Sequence, residues 1–506
     1  MLYNRRLAGF LGIFILMLSV LAGPYQSDVY AVSSKNESDK KDPKVQPVVA
    51  NEYDRKDFEK GYHYFEKEDY EAAAPYFYRF VKNHTADDED YEWAEFFLAI
   101  SLAKTGFSHA SVDILSMLVT RKPNQKIVTY ALEVFETIVR TKPFDRELVI
   151  NQAICDQDYG FVDGRLSNFI HYYQGVYDWQ HGFFEWGDGH FRNISKESYY
   201  YYKYLYQKAK QELHNDKIDE AIATLKTIMV RDVKETDLKD DVRKMLARLL
   251  YEKEDFKAAN RLYQDIEQNI LDQSQNLMEL AWVQYRQGNP EKAMGLLYAF
   301  EAPSFKNSFT PEYFILKSFI YKDVCHYQRA LDVVEDFRAR YGDALTHIYN
   351  RKEPITNEAL ILVLLGKKQI NDTFKFLNLL TREKEKVKGI KDSVFQFYMN
   401  RLYDLKIRES AETLRNQIQE SYEEMANELL KYEEEAYLMA YEIGLDMYQR
   451  VTDHHYAGEE NKEQKSDKGI VVYPFQGEFW NDELSDYHVS LPDKCNQMEE
   501  WDIFFK

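Results

Sequence analysis

From Glu52 onward, apolar and small residues recur every three or four positions, the period of one face of a helix. Short polar stretches interrupt the recurrence at intervals. One is RQGNPEKA, Arg286 to Ala293, which lies between the apolar runs LMELAWVQY and MGLLYAF. Its glycine and asparagine stop one helix, and Pro290 with Glu291 starts the next. The chain therefore reverses sharply and continues with the same amphipathic character.

The reversal recurs at a spacing. Around it, Leu280, Ala281, Gln284, Gly288, Ala293, Leu297 and Phe300 set a pattern. Leu246, Ala247, Leu250, Phe256, Ala259, Tyr263 and Ile266 repeat it 34 residues earlier. Ala209, Ile218, Ala221 and Leu225 repeat it before that, and Ser318, Tyr321, Tyr327, Ala330 and Phe337 after it. Near the start, Gly61, Tyr64, Tyr70, Ala73, Phe77 and Phe80 match closely, as do Leu98, Ala99, Leu102, Gly106 and Leu115. Six helix pairs in partial register resemble the tetratricopeptide repeat. The small residue of its first helix matches Gly61, Ala99, Ala209, Ala247, Ala281 and Ser318. The tight-packing alanine of its second helix matches Ala73, Ala221, Ala259, Ala293 and Ala330, and its closing proline matches Pro123. Ser111 departs from the pattern, and most units lack the proline.

The resemblance implies an all-α helical solenoid over residues 52–345, in which the first helix of each pair lines a groove. Groove positions would include Tyr62, Phe65, Arg248, Tyr251, Met278, Trp282, Tyr285 and Phe319. The Lys and Asn residues that clamp a chaperone's terminal carboxylate are not at matching places, so an aromatic groove of this kind suits peptide or helix segments.

The periodicity fails in a Gly- and aromatic-rich stretch, and an irregular insertion is expected over about 156–198. Residues 355–452 are expected to form a long helical and coiled-coil region. Its seam runs through Ala411, Leu414, Ile418, Met425, Leu429, Tyr432, Ala436, Met439 and Ile443. The same chain, a second copy or another protein could fill that seam. A polar linker, 453–469, precedes a short non-helical aromatic segment, 470–506, in which Ile470–Tyr473 reads as a strand. There Tyr473, Phe475, Phe479, Trp480 and Tyr487 would either dock on the solenoid or meet a partner.

Composition narrows the function. Of 506 residues, 65 are Lys or Arg and 85 Asp or Glu, a net charge of −20. That argues against nucleic acid and against a polybasic membrane-surface role. Arg5 and Arg6 before the apolar run Leu7–Gly23, with Ala31 beyond it, have the layout of a secretory signal over 1–31, followed by a linker over 32–51. An uncleaved anchor in the inner membrane is the competing reading. Cys155, Cys325 and Cys495 allow one disulfide or three separate thiols.

HExxH, GxSxG, P-loop and CxxC motifs are missing, so no enzyme, cofactor, metal or small-molecule substrate is expected. His181 and His190 flank Glu185 and Asp188 in HGFFEWGDGH, and an ordered aromatic loop over 174–193 is favoured there over a metal or sugar site. The expectation is an exported, periplasmic, non-catalytic scaffold for other envelope proteins. A homodimer joined through the coiled coil is the alternative.

Overall fold

The computed structural model describes residues 55–121, 124–230, 236–266, 273–305, 308–354, 357–453 and 487–495. The expected signal, both linkers, Pro123, the strand Ile470–Tyr473, and Tyr473, Phe475, Phe479 and Trp480 lie outside them. The described residues are helical with no strand, and they belong to two compact units. One unit comprises residues up to Tyr201 together with Lys368–Gln417, and the other comprises Tyr202–Lys367 together with the chain from Ile418.

In the first unit, helices α1 (Arg55–Glu66) and α2 (Tyr70–Asn83) form one antiparallel hairpin, and α3 (Tyr91–Lys104) and α4 (Ser108–Thr120) the next. Then come α5 (Gln125–Thr141), a π-helix (Glu147–Cys155), α6 (Gly164–Gln180), α7 (Phe184–Arg192) and the start of α8 (Tyr199–His214). In the second unit α8 pairs with α9 (Ile218–Met229). The later pairs are α10 (Thr236–Glu252) with α11 (Phe256–Gln264), α12 (Gln273–Arg286) with α13 (Pro290–Tyr298), and α14 (Glu312–Asp323) with α15 (Tyr327–Tyr349). α16 (Glu358–Leu365), α17 (Lys368–Val387) and the 61-residue α18 (Ser393–Asp453) complete the set.

The repeat is visible in its buried small residues. Ala73, Ala99, Ser111, Ala209, Ala221, Ala247, Ala259, Ala281, Ala293, Ser318 and Ala330 are all fully buried. At each of these positions a larger side chain would force the paired helices apart.

The turn inside each hairpin repeats as well. A residue in the left-handed region stands at Glu68, Gly106, Gly182, Asp216, Glu254, Gly288 and Cys325. The next amide donates back five residues, as from Asp255 to the Leu250 carbonyl (2.9 Å) and from Asn289 to that of Gln284 (3.0 Å). This is the helix-ending motif that usually selects glycine, yet only three of the seven are glycine.

One expectation is corrected. The irregular insertion about 156–198 is mostly the hairpin α6–α7, so the 174–193 loop is helix. Its glycines make close contact possible: a Cβ on Gly175 would lie 2.6 Å from Phe191, and one on Gly187 2.4 Å from Trp179. The 355–452 region is helical, and its parts belong to both units.

The seam of α18 is buried by the chain itself. In the second unit Leu429, Ala436, Met439 and Ile443 share a core with Val334, Phe337 and Tyr341. In the first unit Phe395, Met399 and Tyr403 are fully buried, Phe395 against Tyr78 and Tyr403 against Phe107.

Candidate partner-binding face

The expected groove positions fall into three groups. Phe65 and Met278 are packing residues. Phe65 meets Phe97 (4.8 Å between ring centres), Tyr70 and Phe77, and Met278 is buried. Tyr62 lies on Phe58 and Phe97, with 40% of its surface left exposed.

The second group is a row on α10 and α12, in which Arg248, Trp282 and Tyr285 are each fixed by a carboxylate further along the chain. Arg248 makes a two-pronged ion pair with Glu279 (2.6 Å from Nη2, 3.1 Å from Nε), and the Tyr263 hydroxyl donates to the same carboxylate (2.7 Å). Trp282 Nε1 donates to Glu312 (2.8 Å), and the Tyr285 hydroxyl donates to Asp323. Tyr285 stands edge-on to Trp282 and to Phe319, at 6.2 and 5.8 Å between centres. Tyr251, half-buried, packs on Phe256.

Electrostatics follow from this packing. Burial raises the Tyr285 phenol first, and the hydrogen bond and charge of Asp323 raise it further. Burial also raises Glu312, aided by Glu279, Glu428 and Glu435 and opposed by the Trp282 hydrogen bond. The anchoring acids Glu279, Glu312 and Asp323 were not singled out from the sequence. Their signal is a carboxylate one helix pair beyond each anchored residue.

Phe319 forms the third group. With Ile315 it packs against the core that includes Leu429 and Met439 of α18. Beside it Lys322 pairs with Glu442 (2.6 Å) and Asp446 (3.6 Å). The α14 end of the expected groove is therefore occupied by the chain's own long helix, while Tyr251, Trp282 and Tyr285 stay half-exposed.

Tyr487 begins the described part of the C-terminal segment, which docks on the second unit. Its carbonyl lies so close to Gly295 that a Cβ there would sit 1.8 Å away. The Val489 amide donates to the Glu291 carbonyl (3.1 Å), and the Leu491 amide to the Glu291 side chain (3.1 Å). His326 reaches the Pro492 carbonyl (2.8 Å), and Arg450 donates to that of Lys494 (3.0 Å). A disulfide joins Cys495 to Cys325. Cys155 stays a thiol, and burial pushes its pKa up to about 12.

His181 and His190 engage different groups. His181 Nδ1 bonds the Tyr177 carbonyl (2.8 Å), whereas His190 meets His171 (3.0 Å) and Asp178 (3.6 Å). Among the described residues no three His, Cys, Asp or Glu side chains gather as a metal site, and no helix is long and apolar enough to cross a membrane.

No family model matches the sequence, and no characterised protein matches it at sequence level. Among solved structures, the apo form of RapI is 11% identical over 75% of this chain and 98% of its own, with a TM-score of 0.30. A Rap protein complexed with Competence and Sporulation Factor is 11% identical over 72% and 99%, with a TM-score of 0.25. No residue role passes from either to this chain.

Proposed function

We propose that this chain is an exported, non-catalytic scaffold that binds peptide or helix segments of other envelope proteins on the α10–α12 face. The observation that carries the reading is the anchored row itself. Trp282, Tyr285 and Arg248 are each tied by a hydrogen bond to a neighbouring helix, so they present large rings and a cation with little freedom left to lose. Pre-fixed aromatic and arginine side chains are what concentrate binding energy at protein interfaces. Export is supported by the basic and apolar layout of residues 5–23 and by the Cys325–Cys495 disulfide, a bond that persists in oxidising compartments.

Selection from a displayed peptide library against the purified chain, repeated with Tyr251→Ala plus Tyr285→Ala, tests this. Enrichment of sequences with apolar anchors at helical or alternate spacing, lost in a double variant of unchanged melting temperature, is expected. Enrichment that survives the double substitution, or none above a scrambled library, rules the face out.

A further inference from the structure

The first unit holds a cleft of about 550 Å³ between α4, the π-helix and the first half of α18. Four carboxylates line it, Asp113, Asp145, Glu147 and Glu409, against two cations, Arg401 and Lys406. Lys406 is already engaged, paired with Asp145 and hydrogen-bonded to Glu409 (2.9 Å). The other Asp145 oxygen accepts from the Leu148 amide (3.3 Å).

Among the described residues, the lining side chains that make no hydrogen bond or ion pair include Asp113, His109 and the exposed Arg401. Asp113 is partly buried. His109 is 4% exposed, edge-on to Phe376 and Tyr403, and its Nδ1 is buried and unbonded. Burial holds His109 uncharged, with its pKa lowered to about 4, and raises Asp113 to about 6. Burying the His109 Nδ1 without a partner is costly. The wall opposite is a nine-residue π-helix, a rare conformation whose single-turn form is frequent at functional sites.

We infer that this cleft binds an ammonium or guanidinium group on an aliphatic stem, with Asp113 as its carboxylate partner. An anion would face an excess of carboxylates, and an apolar group would leave Asp113 unpaired. A cation offers Asp113 a charge-assisted hydrogen bond. Leu402, Leu405 and Met117 line the cleft where the stem would lie. The same chemistry belongs to a Lys or Arg side chain of a partner protein and to a free diamine. This site lies in the other unit from the α10–α12 face, and neither reading depends on the other.

Calorimetric titration of the full chain with capped Gly-Arg-Gly, capped Gly-Lys-Gly and 1,5-diaminopentane tests it, with capped Gly-Glu-Gly and Gly-Leu-Gly as controls. Basic probes are expected to bind at least tenfold tighter than the controls. Tighter binding of the tripeptides assigns the site to a partner's side chain, and tighter binding of the diamine assigns it to a free amine. Asp113→Asn should weaken the basic probes about tenfold while leaving the melting temperature equal or higher. Leu405→Trp, a change at a half-exposed rim position, should block them by filling the cleft. Basic probes that bind no better than the controls, or that bind both variants as tightly as the parent, overturn the inference.

Discussion

At Gly295 the C-terminal segment meets α13 with no room for a side chain. The Cβ of an alanine would overlap the Tyr487 carbonyl, and backbone on both sides must give way. Gly295→Ala should therefore lift the start of the segment at a cost of about 1–3 kcal/mol. Earlier tryptic cleavage at Lys494, followed by mass spectrometry, would show it, and an unchanged cleavage rate would mean that the contact is dispensable. His109 and Asp113 make a second prediction, because burial shifts them in opposite senses. His109 falls from 6.5 to about 4, so the unfolded chain binds more protons between those values and stability is lost as pH falls through that window. Asp113 rises from 3.8 to about 6, so the folded chain binds more protons and stability is lost as pH rises through its window. Each contribution is on the order of 3 kcal/mol, and the two oppose one another between pH 4 and 6. Asp113→Asn should expose a loss of stability on acidification below pH 6.5 in urea midpoints, with Asp145, Lys406 and Glu409 present in both proteins. A pH profile parallel to the parent's would show that the Asp113 shift is smaller than burial implies. Much at this scale was legible beforehand: the alanines and serine read as small repeat positions are fully buried. Asp113 was not legible, because one aspartate within an apolar run reads as an ordinary solvent-facing position.

Elements were legible where a hydrophobic stripe and a turn signal agreed, and illegible where glycine was read in one sense only. Gly175 and Gly187 read as breakers, yet both sit inside helices as contact points for the rings of Phe191 and Trp179. The hairpin turns show the converse. Glu254 holds φ 60° and Asp216 φ 58°, a region that glutamate disfavours more than aspartate does. A non-glycine residue there is disfavoured by about 1–2 kcal/mol, whereas glycine loses about 0.5–1 kcal/mol more on leaving the unfolded chain. Glu254→Gly should consequently stabilise the second unit by about 0.5–1 kcal/mol, and Gly288→Ala, with open space around its Cβ, should destabilise it by a similar amount. Denaturant midpoints of the two variants moving in the same direction would contradict this account. Turn chemistry of this kind explains why the opening sequence RQGNPEKA was readable and its counterparts at Glu68, Asp216 and Cys325 were less so.

For the whole molecule, periodicity could indicate that α18 is one long helix but not what fills its seam, since any apolar partner satisfies the same pattern. The structure fills it from within each unit, so a dimer through Leu429, Met439 and Ile443 would have to dismantle an existing core. A dimer would have to use other residues of α18, where Tyr437, Leu438, Tyr441 and Leu445 are more than 40% exposed. The C-terminal segment is tied instead by a bond of long sequence separation, 170 residues from Cys325 to Cys495. Removing such a closure costs about 2–5 kcal/mol, most of it through the unfolded chain. Glu291, His326 and Arg450 would still offer hydrogen bonds to the segment, but they would then hold a free end. Because each unit has its own core, the loss from Cys495→Ser should be felt locally. Hydrogen exchange should accelerate across residues 487–495 and the adjoining ends of α13, α14 and α15, and leave α2, α3 and α4 at the parent's rates. Equal acceleration in both units would instead mean that they open together, with α18, which passes through both, carrying the coupling.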